Sequence, residues 1–230
     1  MCAEKPQATL HFFNMTINIS LVPESDSRLL QLHAPLQHIG CAIVLKNQKP
    51  TEQCDFYISL STDVISFPKE ASETPSTGDV LLIGSSYESA SHSYPMPKSH
   101  LDLAKILLIG LHPKIDSEIS FVPAFLDEFF DGDTEGLQSF VKSMLEANTA
   151  DLSALAACAE QSLWDDLASV AHRLKGATSL VHCMTIGDIC SLLHSNAKKK
   201  NAAESRALCW LVEQAILPLQ KALSDSVKPA

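Results

Sequence analysis

The sequence predicts two parts of different fold class: an α/β part with a mostly parallel sheet over residues 1–112, and an all-α four-helix bundle over residues 113–230. Short β-branched apolar runs occur in the first part, whereas long helical periodicity follows from Phe121 onward. Nine of the twelve prolines lie in residues 1–115, and no glycine follows Gly187. A length of 230 residues accommodates two small domains, because a domain holds about 100–200 residues.

Composition and charge exclude several classes of protein. The chain is 46% hydrophobic and 19% charged, which is typical of a globular protein rather than a disordered one. Its net charge is −10, and residues 116–230 hold 16 acidic against 9 basic side chains. Because such a surface repels a phosphate backbone, we expect no nucleic-acid partner.

The cysteines and the apolar runs predict a cytoplasmic location. The seven cysteines are an odd number without a CxxC spacing, which indicates reduced thiols. No apolar run approaches the roughly 20 residues that a membrane helix needs. We therefore expect no direct membrane contact in this segment.

In the first part, strands and helices alternate. The pattern predicts one or two strands in Leu10–Val22 and a helix over Ser27–His38. Three buried parallel strands and a closing helix follow, predicted at Cys41–Leu45, Phe56–Leu60, Val80–Ile83 and Leu101–Ile109, with Leu101, Ala104 and Leu108 on one face of that helix.

The second part contains only helices. A short helix carries Phe121, Phe125 and Phe129, which we expect in the core, and ends at Gly132. Asp133 or Thr134 caps the next helix, and Thr185 caps a later one. Apolar stripes at a spacing of 3.6 residues predict four long helices, with Leu137–Ala159, Leu163–Ala177, Ile186–Leu193 and Leu208–Leu219 as their buried faces.

On the helix with the 163–177 stripe, His172 is predicted to be exposed. At about 100° per residue it lies nearly opposite Val170 and Leu174, which belong to the apolar stripe. Its neighbours on the exposed face are small or cationic: Ala168, Lys175, Gly176 and Ser179. A glycine inside a helix costs about 1 kcal/mol relative to alanine, so we expect another molecule to approach closely there.

This arrangement favours phosphoryl transfer through a phosphohistidine. An exposed imidazole is largely unprotonated near neutral pH and is a competent nucleophile. Lys175 supplies a positive charge for a phosphoryl oxygen. The helix offers no acidic pair for Mg²⁺ and no phosphate-binding glycine loop, so His172 would act as a carrier whose partner supplies the catalysis.

The stretch Ala171-His-Arg-Leu-Lys-Gly-Ala-Thr-Ser179 resembles the AHxLKGxxx motif of histidine-containing phosphotransfer (HPt) domains. The resemblance extends over about 105 residues, including a Trp-Asp-Asp-Leu turn at 164–167 and Cys-Ser-Leu-Leu at 190–193. It implies a four-helix bundle, phosphorylation of His172, and support from Lys175 and Gly176. Ala168, Arg173, Ser179 and His182 are the expected docking residues; many family members carry glycine at the position of His182.

The first part is similar in the order of its elements to a receiver domain of two-component systems. Residues 94–105 resemble the last strand, the Lys-Pro pair and the final helix of a receiver. However, Ser59, Leu60 and Ser61 stand where a receiver has its phosphoacceptor aspartate, and no acidic pair follows the first strand. We interpret residues 1–112 as a degenerate receiver-like domain that cannot be phosphorylated.

The sequence therefore predicts a phosphorelay intermediate that takes a phosphoryl group from one receiver aspartate and passes it to the aspartate of a response regulator. The chain itself is expected to bind no cofactor, with Mg²⁺ on the partner receiver. It would be a free cytoplasmic protein or the cytosolic end of an inner-membrane hybrid sensor kinase. Whether the carrier counts as an enzyme stays open.

Two alternatives belong to other classes. In the first, the bundle is an adaptor that binds a receiver or kinase without being phosphorylated. In the second, the cysteine-rich half holds a thiol or metal centre. The spacing of His182, Cys183, Cys190 and His194 matches no common zinc pattern, so we expect these residues to serve packing and predict no metal site.

Overall fold

The computed structural model describes residues 18–22, 27–45, 56–60, 80–84, 92–94 and 97–228. Five strands and a helix precede a series of five long helices in this part of the chain. The strands are β1 (Asn18–Val22), β2 (Ala42–Leu45), β3 (Phe56–Leu60), β4 (Val80–Gly84) and β5 (His92–Tyr94). The helices are α1 (Ser27–Ile39), α2 (His100–Phe130), α3 (Thr134–Gln161), α4 (Trp164–Leu180), α5 (Met184–Lys198) and α6 (Ala202–Asp225).

The strands form one mixed sheet in the order β2-β1-β3-β4-β5. β1 pairs in parallel with β2 and β3, but β4 is antiparallel to both β3 and β5. The expectation of a mostly parallel sheet is therefore wrong for these last strands. Only residues 85–91 separate β4 from β5, and a parallel connection needs a crossover of a dozen or more residues. Residues 10–17, where part of the first strand was expected, lie outside the described residues.

Helix α2 joins two segments that the sequence suggested were separate helices. It runs without a break from His100 to Phe130, and the division proposed at 112/113 falls inside it. Pro113 and Pro123 lie within the helix, although each removes a backbone donor. Buried Leu111 and Ile115 flank Pro113, so packing against the bundle compensates for the lost hydrogen bond. Leu101, which we expected on the buried face, is 40% exposed.

Helices α3 to α6 form the bundle, and α2 packs along α6 as a fifth helix. The stripes predicted for α5 and α6 are fully buried, from Ile186 to Leu193 and from Leu208 to Leu219. In α3, Val141, Met144, Leu155 and Ala159 are buried. The prediction of a helical bundle is therefore confirmed, but Leu163, expected in the buried stripe of α4, precedes that helix as its N-cap and is 43% exposed.

Side chains satisfy the starts of α3 and α5, one from the adjoining turn and one from another helix. Asp133 caps α3 by accepting a hydrogen bond from the Gly136 amide at 2.9 Å. Of the two predicted caps, Asp133 and Thr134, the first is therefore confirmed. Thr185 does not cap α5: it lies in the first turn, and its amide and hydroxyl donate to the Glu118 carboxylate of α2 at 2.9 and 2.7 Å. The cap of α5 therefore comes from another helix, which local sequence patterns do not reveal.

Helix α1 is attached to the helical half through polar contacts. The Asn196 amide on α5 donates to the Ile39 carbonyl at 2.6 Å, at the end of α1. His38 and His100 both lie against one oxygen of Glu204 on α6, at 2.7 and 3.3 Å. These contacts join α1, α2, α5 and α6 at one end of the bundle. None of the described helices is long and apolar enough to cross a membrane.

We expect Glu118→Ala to lower the free energy of unfolding by about 1–2 kcal/mol, because α5 loses the acceptor for its first turn. Urea unfolding measures the change. Thr185→Val, which keeps the amide donor, should cost less. Glu128→Ala at an exposed position of the same helix is the control, and an equal loss in Glu118→Ala and Glu128→Ala would contradict the capping role.

Candidate functional site

His172 lies on the exposed side of α4, as the sequence predicted. The buried face of this helix consists of Leu167, Ala168, Val170, Ala171, Leu174 and Thr178. Since Val170 and Leu174 point into the bundle, His172 between them must point outward. Its imidazole is therefore accessible to another molecule.

Ala168 is not part of the exposed face, contrary to the docking role expected for it. Its exposed fraction is 0%, because α5 packs over it. His194 of α5 reaches the carbonyl oxygen of Ala168 with its Nδ1 at 3.0 Å. The same ring lies beside His172, with ring centroids 5.9 Å apart and planes at 53°. A second imidazole thus stands where the sequence suggested only small residues.

Lys175 and Ser179 extend the site along α4. Lys175 is exposed, and its Cγ lies 3.9 Å from the position that a Cβ on Gly187 would occupy. The Ser179 hydroxyl donates to the Lys175 carbonyl at 2.8 Å, so its proton is already used within the helix. Thr178 lies next to Gly187 as well. The stem of Lys175 therefore passes close to α5 while the residue stays exposed.

Gly176 has open space on its exposed side. A Cβ built there meets no atom within 4 Å, so nothing in the described chain requires a glycine at this position. Gly187, by contrast, would bring a Cβ within 3.4 Å of the Thr178 hydroxyl. A side chain at Gly187 would therefore touch α4, whereas the surface at Gly176 has room for an approaching molecule.

Arg173 faces a different neighbour from Lys175. Its guanidinium forms a two-nitrogen ion pair with Asp151 of α3, with Nη2 2.5 Å from the carboxylate. The hydrogen bond to Asp151 is the main cause that raises the pKa of Arg173 above its usual value. The cation that the sequence assigned to docking is thus largely neutralised, and Lys175 supplies the positive charge next to His172.

His182 occupies the turn after α4 in a left-handed conformation, with φ of 60°. Glycine adopts this conformation without strain, and histidine tolerates it better than most residues do. This backbone geometry accounts for the glycine that many HPt members carry there. The exposed ring of His182 packs edge-on against Phe125 of α2, at 4.7 Å between centroids.

Two of the three predicted core phenylalanines of α2, Phe121 and Phe129, lie outside the core, whereas Phe125 packs against it. Phe121 and Phe129 are 68% and 67% exposed, and Phe125 is partly buried. The adjacent stripe with Val122 and Leu126 faces the core instead. Two apolar stripes lie side by side on α2, and the sequence could not tell which one meets α6.

The thiols of three buried cysteines in the helical half are poor nucleophiles. Burial raises the pKa of Cys183, Cys190 and Cys209 to about 12. Each thiol therefore stays protonated at neutral pH, which weighs against a thiol centre. Within the described ranges, no group of three or more histidine, cysteine or acidic residues is arranged to hold a metal ion.

Part of the helical half matches the model of a known protein family. The model of the Hpt domain family matches residues 137–225, from the first turn of α3 to the end of α6. Over these residues the chain is similar to Hpt domains. The comparisons with curated proteins and with solved structures found no match.

Hpt domains act in histidine phosphotransfer within phosphorelays and interact with receiver domains and response regulators. The matched region contains the exposed His172 with Lys175 and Gly176. The match does not extend to residues 1–112, so their likeness to a receiver stays a prediction. His194 and Gly187 were the neighbours that sequence reasoning missed, since only the packing of α5 on α4 brings them to this site.

Replacement of the two helical glycines should separate their roles. We expect Gly176→Ala to raise the free energy of unfolding by up to about 1 kcal/mol, because alanine favours the helix and meets nothing. Gly187→Ala should raise it by no more than Gly176→Ala does, since its Cβ would already touch the Thr178 hydroxyl at 3.4 Å. Thermal or urea unfolding of both variants measures this; a larger gain in Gly187→Ala than in Gly176→Ala would contradict the difference between the two positions.

Proposed function

We propose that this protein is a phosphorelay intermediate in which His172 accepts a phosphoryl group from a receiver aspartate and passes it to the aspartate of a response regulator. The observation that carries the proposal is the exposed imidazole of His172, bordered by the free amine of Lys175 and by open surface at Gly176. The Hpt family match over the same helix supports it.

In the proposed step, an unprotonated ring nitrogen of His172 attacks the phosphorus of an aspartyl phosphate. The P–N bond forms as the bond from phosphorus to the carboxylate oxygen breaks, and the carboxylate leaves with the electron pair. The other ring nitrogen keeps its proton. Transfer to the next receiver is the reverse reaction with a different carboxylate, so no further reactant is needed.

The groups around His172 have distinct parts in this proposal. Lys175 offsets charge on the phosphoryl oxygens, and Gly176 lets the receiver's active site approach the imidazole. Mg²⁺ would be bound by the receiver. Ser179 and His182 lie further along the same end of α4, where they would contact the partner beside the exposed Phe121 and Phe129.

Residues 1–112 have a supporting role in this proposal. We regard them as a receiver-like part without a phosphoacceptor, as would be found before the Hpt domain at the C-terminal end of a hybrid sensor kinase. Their described helix α1 is held to the bundle by Glu204 and Asn196, which lie on α6 and α5.

Incubation with a phosphorylated receiver tests the proposal. We expect the wild-type chain to acquire acid-labile, base-stable phosphate and His172→Gln to acquire none, because glutamine has no nucleophilic ring nitrogen. His112→Gln, at an exposed histidine of α2, is the control and should be labelled normally. Labelling that persists in His172→Gln would overturn the assignment, and a receiver that binds the wild-type chain without labelling it would favour the adaptor function.

A second test concerns the surface at Gly176. We expect Gly176→Glu to keep the fold and to lower the transfer rate by at least about tenfold, because bulk and negative charge meet the incoming receiver. Gly176→Ala is the matched control at the same position and should transfer at close to the wild-type rate. Rapid-quench transfer assays measure the rates; undiminished transfer in Gly176→Glu would contradict close approach at this position.

A further inference from the structure

We propose that His194 makes the acceptor site pH-dependent: its protonated ring stabilises the phosphoryl group on His172, and its neutral ring does not. This inference rests on the proposed function, since it concerns the same phosphohistidine. It adds a second, titratable imidazole to a site in which the sequence indicated only one.

The hydrogen bond to Ala168 determines how His194 is protonated. A carbonyl oxygen only accepts, so Nδ1 of His194 must carry the proton that it shares with Ala168 at 3.0 Å. Nε2 is then the nitrogen that gains or loses a proton. The proton that makes the ring cationic can therefore enter only at Nε2.

The same bond holds His194 next to His172. In helix α4, the carbonyl of Ala168 also accepts the backbone N–H of His172, four residues on. His194 is therefore anchored to the turn that presents His172, and the two ring centroids lie 5.9 Å apart. A phosphoryl group on His172 would stand within about one Debye length of the charge on His194.

The charged groups around His194 come from the helices packed with α5. On α4, these are His172 itself, Lys175 one turn further along, and Asp165, which pairs with Lys198 of α5 at 3.1 Å. The charged residues at the nearby end of α6 are engaged elsewhere, Arg206 with Trp164 and Glu204 with His38 and His100. Among the described side chains, no carboxylate forms an ion pair with His194.

Linkage gives the sign of the effect. A dianionic phosphoryl group favours the protonated form of His194, so phosphorylation of His172 should move the titration of His194 to higher pH. Conversely, protonated His194 should favour phosphorylated His172 by the same factor, about tenfold at low salt. The stabilisation of phosphorylated His172 is complete below the titration midpoint that His194 has in the unphosphorylated protein. It is lost as the pH rises through the midpoint that His194 has in the phosphorylated protein.

Nuclear magnetic resonance of the whole chain, labelled with ¹⁵N in histidine, tests the inference. Phosphoramidate serves as a small-molecule donor that phosphorylates histidine without a receiver. We expect the titration midpoint of His194 to rise by about one pH unit when His172 is phosphorylated, and less at high salt. His182, ten residues beyond His172 and about 15 Å along the helix, is the internal control and should not shift.

The variant His194→Gln supplies a second readout. Glutamine keeps an amide donor for the Ala168 carbonyl but does not titrate, so the fold and the position of α5 should persist. The measured quantity is the equilibrium constant for phosphoryl transfer from one receiver to His172, at pH 8 and at pH 5.5. We expect this constant to increase about tenfold more on going from pH 8 to pH 5.5 in the wild type than in His194→Gln.

The outcomes separate the two proposals. Phosphorylated His172 with an unshifted His194, or identical pH profiles in both proteins, would overturn the role of His194 and leave the phosphorelay function intact. Phosphate on His194 itself in the variant His172→Gln would also overturn it. If receivers never label the wild-type chain while phosphoramidate does, the phosphorelay function fails and the coupling of the two imidazoles can still be measured.

Discussion

Gly187 lies where α5 packs on α4, and a Cβ at that position would be in van der Waals contact with the Thr178 hydroxyl, at 3.4 Å. This close packing determines the surroundings of His172. It buries Ala168, supports the stem of Lys175 and brings the ring of His194 to 5.9 Å from that of His172. Lys175 is a neighbour of His172 along α4 itself, whereas His194 reaches His172 only because α5 packs on α4.

The remaining helices hold this pair in place. Glu118 of α2 accepts the hydrogen bonds from the start of α5, and Arg173 of α4 is joined to Asp151 of α3. At the other end, Arg206 of α6 lies over Trp164, the first residue of α4. The site is therefore built on two helices whose ends are tied to three others, and these contacts fix its geometry.

Much of the helical half was predictable from the sequence. The spacing of Val170 and Leu174 was sufficient to place His172 outside, because helical geometry relates the two faces of one helix directly. The stripes of α5 and α6 were equally clear. The buried face of α2 could not be predicted, because this helix carries two apolar stripes with the same spacing. Phe121 and Phe129 belong to the stripe that faces the solvent.

The sequence by itself determined which residue of α4 is accessible, that a cation lies one turn away, and that residues 137–225 follow the Hpt pattern. Only the tertiary structure decided that Ala168 is covered, that Arg173 is neutralised and that His194 stands beside His172. The physical reason is that periodicity fixes neighbours along one helix, whereas contacts between helices depend on how closely their backbones approach. Here the packing of α5 on α4 brings in His194, more than twenty residues away from His172 in the chain.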